Sequence, residues 1–183
     1  MAKLRFLFQP EKFVNAVAYL ARACPNSTKM TICKQLYYAD KEHLVKFGRP
    51  IIGDHYHKLP HGPIPTRGLD ILRKRSSGRD VALLEKYVTV IGDSVHPRQT
   101  PNRKVFSKSD IEVLDRIVAQ FGRMSAAQLR RKSQAEAPWR DSVYGCPIDY
   151  ALFFDEHPGS SEVKCIAESE QESRDLLRPY AVR

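Results

Sequence analysis

Lys34-Gln35-Leu36-Tyr37-Tyr38-Ala39-Asp40-Lys41-Glu42-His43-Leu44, followed by Phe47-Gly48-Arg49-Pro50-Ile51-Ile52-Gly53-Asp54, is the stretch from which the fold can be read. At 100° per residue, Cys33, Leu36, Tyr37, Leu44 and Phe47 fall on one stripe, which predicts a helix from about residue 28 to 47. Gly48 stands where a helix stop belongs, and Pro50 lies just beyond it. Asp40 falls in the middle of the apolar stripe. An acid aimed at a core is costly unless it is paired, so Asp40 is expected to tie the helix to the chain beyond it, through Arg49, Lys58 or a tyrosine.

Working outward, Phe13, Val14, Val17, Leu20 and Ala21 recur at helical spacing behind Pro10, so a first helix is predicted over residues 10–24. After Pro50 the chain reads as a turn and a short extended piece, ended by His61-Gly62-Pro63-Ile64-Pro65. A third helix is predicted over 66–75. Strand-like runs come next between residues 81 and 106, at Tyr87-Val88-Thr89-Val90-Ile91 and Lys104-Val105-Phe106. Ser109 with Glu112 suggests the capping box of a fourth helix, ending at Gly122, and Ser125 with Gln128 that of a fifth. Trp139, the only tryptophan, is an anchor candidate, and a polar, acidic helix closes the chain over 165–177. The fold class is α+β and mainly α-helical, with five to six helices around a compact core and a small antiparallel β element.

The 183 residues carry 30 Lys and Arg against 21 Asp and Glu, a formal charge of +9. Residues 1–100 hold 17 basic and 8 acidic side chains and residues 101–183 hold 13 of each, so the whole excess sits in the first part. Its densest run is Arg73-Lys74-Arg75, near Arg67 and Arg79. Such a patch suits nucleic acid, an acidic protein or the chain's own acidic end. No apolar run approaches the ~20 residues of a membrane span, and the N-terminus lacks the pattern of a signal peptide, so a cytoplasmic protein without a membrane partner is expected. The four cysteines form no CxxC pair and suggest neither a disulfide framework nor a zinc knuckle.

Motifs for chemistry are sparse. His55 and His57 would share one face of a strand, but a third metal ligand would have to come from His61 or from elsewhere. Asp40 and His43 could be an acid and a base three residues apart, yet no GxSxG elbow or flanked nucleophile completes a triad. Walker and GxGxxG loops are absent, and no helix-turn-helix is legible. The sequence therefore implies no enzyme, cofactor or metal site.

The two quoted stretches, together with Lys58-Leu59-Pro60-His61-Gly62-Pro63-Ile64-Pro65, resemble the Panacea domain of SocA-like antitoxins, also met in phage-associated proteins of the GepA type. Ser109-Asp110-Ile111-Glu112-Val113-Leu114, Phe121-Gly122, Ser125-Ala126, Leu129 and Glu136-Ala137-Pro138-Trp139-Arg140 are similar to that family's second half. The resemblance implies a bacterial antitoxin domain over residues 1–150, with 151–183 an extension whose acidic helix packs on it. It implies a partner, the cognate toxin encoded by an adjacent gene, neutralised by direct binding, and in the SocA branch delivery of that toxin to the ClpXP protease. The alternative is a DNA-binding transcriptional regulator using the basic N-terminal part, although the length leaves no room for an added DNA-binding domain. Tyr37, Asp40, Gly48, Pro50, Gly53, Gly62, Pro63 and Trp139 are then fold-setting, and Tyr38, His43, Arg49, Lys58, His61, Arg67 and Arg73 are toxin-interface candidates. Tyr38 lies off the apolar stripe, which leaves two readings open: an exposed anchor, or a ring packed under the chain after Pro50.

Overall fold

The computed structural model describes residues 4–24 and 26–177. Two helices form where the periodicity places them, α1 (Pro10–Ala23) and α2 (Lys29–Phe47). Thr28 caps α2 reciprocally: its hydroxyl accepts the Thr31 N–H at 3.2 Å, and the Thr31 hydroxyl accepts the Thr28 N–H at 2.8 Å. Gly48 ends the helix at φ +73° and donates its N–H to the Leu44 carbonyl at 2.8 Å. A Cβ at Gly48 would meet only Val163 and Ala167, at 3.7 and 4.0 Å. Gly48→Ala is therefore expected to cost about 1 kcal/mol through backbone strain alone, read from the urea midpoint; an unchanged midpoint would contradict a left-handed stop.

The single apolar stripe expected of α2 proves too narrow. From residue 31 to 41 no side chain is more than 8% exposed, because α1, a hairpin and three helices later in the chain pack around it. Phe47, counted in the stripe, is instead 46% exposed.

After Pro50 the chain forms a hairpin, β1 (Tyr56–Leu59) with β2 (Gly62–Pro65), paired from Tyr56↔Pro65 to Leu59↔Gly62. The Gly-Pro-Ile-Pro segment, read from the sequence as the end of a strand, is thus a strand itself. Residues 145–148 run along the other side of β1 through Ile148 N–H to the Tyr56 carbonyl, at 2.7 Å, and Lys58 N–H to the Cys146 carbonyl, at 3.1 Å. Next come α3 (Thr66–Leu72) and α4 (Gly78–Tyr87). The second of these is a helix that the sequence did not announce, ahead of the strand-like run at 87–91: Ser77 accepts the Asp80 N–H and starts a helix that buries only Leu84 and Tyr87. A second hairpin, β3 (Val88–Ile91) with β4 (Ser94–Pro97), bridges Thr28 at the start of α2. Lys104-Val105-Phe106 is not a strand either; Arg103–Val105 is a 3₁₀ turn whose start is capped by Asn102.

The remaining helices are α5 (Lys108–Phe121), α6 (Ala126–Gln134), the short α7 (Ala137–Arg140) and α8 (Ser161–Leu177). The capping box of α5 uses Ser107 and Asp110 rather than Ser109 and Glu112, since that register carries Asp110 into the core. The described residues therefore form an α+β fold, 60% helical, with eight α-helices and two small antiparallel sheets, against the five to six helices expected. Tyr150 and Phe153, in a 3₁₀ segment before α8, join Tyr37 and Tyr56 in an aromatic cluster with ring centroids 5.1 to 6.3 Å apart.

Candidate partner-binding surface

Asp40, 1% exposed, holds the turn after α2. One carboxylate oxygen accepts the N–H groups of Ile51 and Ile52 at 2.8 and 2.9 Å; the other accepts Gly53 N–H at 3.1 Å and lies 3.0 Å from the Tyr56 hydroxyl. The expected partner is thus a tyrosine together with the backbone, not Arg49 or Lys58. Burial pushes the Asp40 carboxyl up to about 6, against the pull of these hydrogen bonds. The turn delivers Asp54, whose oxygens accept the N–H groups of His55, Arg67 and Gly68 and so fix the start of α3.

Two further buried clusters join distant segments. Asp110 accepts from Lys12 at 2.8 Å, Arg49 at 2.9 Å and the Ser107 N–H at 3.0 Å, with His43 Nε2 3.0 Å away. Burial alone would raise its pKa, but the hydrogen bonds from His43, Lys12 and Ser107 and the Arg49 charge hold it well below the usual carboxylate range. Lys41 reaches Glu136 and Glu156 at 3.0 and 2.8 Å, and Tyr37 donates to the same Glu136. These acids and bases position turns and helix starts, and their hydrogen-bonding capacity goes to backbone or to one another. Among the described residues no group of three His, Cys, Asp or Glu is arranged to hold a metal ion, and no helix is long and apolar enough to cross a membrane.

The residues proposed from sequence divide between interior and surface. Tyr38 is 5% exposed and stacks on Phe121 of α5, with centroids 4.3 Å apart, so it is neither an exposed anchor nor packed under the segment after Pro50. His43 is fully buried and donates from Nδ1 to the Arg49 carbonyl at 2.7 Å. Neither side chain offers surface to a partner in this fold. Arg49 is half-buried against Asp110. Lys58 is half-buried as well, donating to the carbonyls of Arg140 and Ser142 and lying 4.7 Å from the Trp139 ring. Trp139 donates in turn to the Leu59 carbonyl at 3.2 Å. His61, Arg67 and Arg73 are exposed.

The motif that the sequence places around α2 and the first hairpin is therefore one connected structural unit, and a known family shares it. The family model for antitoxin SocA-like proteins, Panacea domain, matches residues 32–140, more than half of the chain. The protein belongs to this family. Among curated proteins and among solved structures, comparison finds no match.

Two surface features of this SocA-like domain escaped the sequence reading. The turn Val143-Tyr144-Gly145 presents two apolar side chains to solvent, pinned to β1 by Gly145 N–H to the Lys58 carbonyl at 2.9 Å. A groove of about 1200 Å3 runs between the N-terminal segment, the start of α4 and the 3₁₀ turn at Val105. Leu7, 88% exposed, stands at its lip. No local pattern foretells this groove, because its walls come from residues 7–12, 77–83 and 105.

Proposed function

We propose that the protein is an antitoxin that neutralises a cognate toxin, encoded by an adjacent gene, by direct protein–protein binding. The observation that carries this reading is the match of the SocA-like family model over residues 32–140. The disposition of charged groups supports it: the titratable interior serves the fold, while His61, Arg67 and Arg73 are exposed at the surface where a partner can reach them. The basic excess of residues 1–100 favours a second reading, a DNA-binding regulator.

The test is co-expression with the neighbouring open reading frame. A neighbour product that arrests growth alone, is tolerated together with this protein and co-purifies with it in stoichiometric amount is the expected result. Toxin levels in cells with and without ClpXP separate occlusion, where they stay equal, from delivery to the protease, where they rise once the protease is removed. A harmless neighbour with nothing co-purifying would overturn the antitoxin reading, and steep, sequence-selective binding to DNA would put the regulator in its place.

A further inference from the structure

We propose that the pocket between α2, α5 and the start of α7 binds an uncharged small molecule, with an apolar body and one hydrogen-bond-accepting oxygen, as in a ketone, ester, amide or lactone. The site is separate from any toxin contact and does not depend on the antitoxin reading.

Tyr38 supplies the observation. Its ring is held by stacking on Phe121, yet its hydroxyl is buried with no hydrogen-bond partner among the described residues. A buried polar group left in this way is unfavourable, and most such groups in folded proteins find a partner. The neighbouring acids do not supply one. Glu136 accepts from Tyr37 and from Lys41, each at 3.0 Å, and Glu156 accepts from Lys41 at 2.8 Å and from the Ala137 N–H at 2.7 Å. Neither comes within hydrogen-bond reach of the Tyr38 hydroxyl. Burial, together with the Glu136 and Glu156 charges, pushes the Tyr38 pKa well above the usual tyrosine range, so the hydroxyl keeps its proton. What it lacks is an acceptor.

The space beside it suits a small ligand. Tyr38 lines a pocket of about 360 Å3, within the ~300–1000 Å3 usual for small-molecule sites. Val45, Ile117 and Phe121 form apolar walls, and none of them is more than 8% exposed, so packing fixes their positions. Lys46, Gln120 and Lys132 are exposed side chains at the lip, free to swing aside and let a molecule reach the hydroxyl.

Charge selects an uncharged ligand. At the Tyr38 end, one cation, Lys41, faces two acids, Glu136 and Glu156. The balance there is negative, and a carboxylate or phosphate brought to the hydroxyl would be repelled. Elsewhere in the lining the balance is positive. Glu42 is shared by Lys46 and Arg116, and Lys132 has no ion pair among the described residues. An ammonium is therefore opposed at that end. His157 adds no charge at pH 7, because partial burial and the Lys41 charge lower its pKa from 6.5. A neutral molecule meets neither penalty, and its oxygen can accept from Tyr38.

The experiment titrates the full chain, labelled with 15N, with three probes that share one ring: acetophenone, ethylbenzene, which lacks the oxygen, and benzoate, which carries a charge. Backbone amide shifts locate the site and give the affinities, for the parent and for Tyr38→Phe. The expected result is that acetophenone shifts amides of α2 around Tyr38–Val45 and of α5 around Ile117–Phe121, and that ethylbenzene and benzoate bind about 5-fold more weakly or worse. Tyr38→Phe should lose about 5-fold in acetophenone affinity and nothing in ethylbenzene affinity. Because the substitution keeps the ring and removes an unpaired hydroxyl, it should melt at or above the parent temperature. A Tyr38→Phe variant that melts well below the parent would show the hydroxyl to be bonded within the fold, and would overturn the proposal. Acetophenone that causes no shift up to its solubility limit, shifts only amides elsewhere, or binds parent and variant alike would do the same. Tighter binding of benzoate would overturn the preference for an uncharged ligand. No toxin enters the assay, so each of these failures leaves the antitoxin reading standing.

Discussion

Asp40→Ala will cost the fold about 3–5 kcal/mol, close to the whole stability of many domains this size. The magnitude comes from the count of stranded donors. Without the carboxylate, the N–H groups of Ile51, Ile52 and Gly53 lose their acceptor in a site that water does not reach, while the Tyr56 hydroxyl keeps the Leu36 carbonyl at 3.1 Å. Asp40→Asn should be milder, about 1–2 kcal/mol. One amide oxygen can still serve Ile51 and Ile52, and no charge is buried, but the NH2 group then faces the Gly53 N–H, donor against donor. Urea unfolding of both variants, with toxin neutralisation measured below the unfolding temperature, is the check. A variant that keeps its midpoint but loses neutralisation would move Asp40 from the scaffold to the partner site.

The same carboxyl gives a pH signature. Its pKa is raised by burial from 3.8 to about 6, so between those values the folded state holds a proton that the unfolded state has released. Stability from Asp40 is therefore fully present below about pH 4 and falls as pH rises toward 6. Asp110 runs the opposite way: its lowered pKa stabilises the fold above the unfolded value, and that stability is lost only in stronger acid. The two windows are thus separate, and Asp40→Asn should shrink the decline from pH 4 to 6, what remains coming from Asp54, whose carboxyl burial also raises.

Much of this scaffold was legible because local signals agreed with it. Pro10 marks a helix start by its fixed φ, the Thr28 and Ser125 caps and Gly48 mark helix ends by hydrogen bonds made within four residues, and Asp40 announced itself as an acid in an apolar stripe. The failures have equally local causes. Helix α4 buries only Leu84 and Tyr87, so its period is weak, and its start is hidden in a serine pair that reads as the close of α3. Strand β2 carries Pro63 and Pro65, which donate nothing to a ladder, and it survives because Ile64 supplies the backbone N–H between them. Overlapping capping signals at Ser107 and Ser109 could be separated only by the tertiary contacts of Asp110 with Lys12, His43 and Arg49. Tyr38 illustrates the limit of a single stripe. Its burial depends on α5, some eighty residues away, and no helical wheel of α2 contains that information.

Lys34 carries the other large expected effect. Its side chain is 1% exposed, and its ammonium donates to the Pro63 carbonyl at 2.8 Å, beneath the Gly62 turn of the first hairpin. Gly62, at φ +87°, leaves just enough room: a Cβ there would lie 2.5 Å from Nζ and 2.8 Å from the Ser133 hydroxyl. Burial lowers the Lys34 pKa from 10.5 to about 7, and the nearby Arg130 charge acts in the same direction. Between about pH 7 and 10.5 the unfolded chain holds a proton that the folded chain has given up, so stability rises with pH across that window, by a few kcal/mol at most. Lys34→Met keeps the volume and removes the charge, at the expense of one hydrogen bond to Pro63. It should melt at or above the parent temperature at pH 7, and the parent's gain on going from pH 7 to about pH 9.5 should vanish. An equal gain in both proteins would mean that Lys34 keeps its proton in the folded chain up to about pH 9.5, as it does when unfolded, and that burial does not lower its pKa.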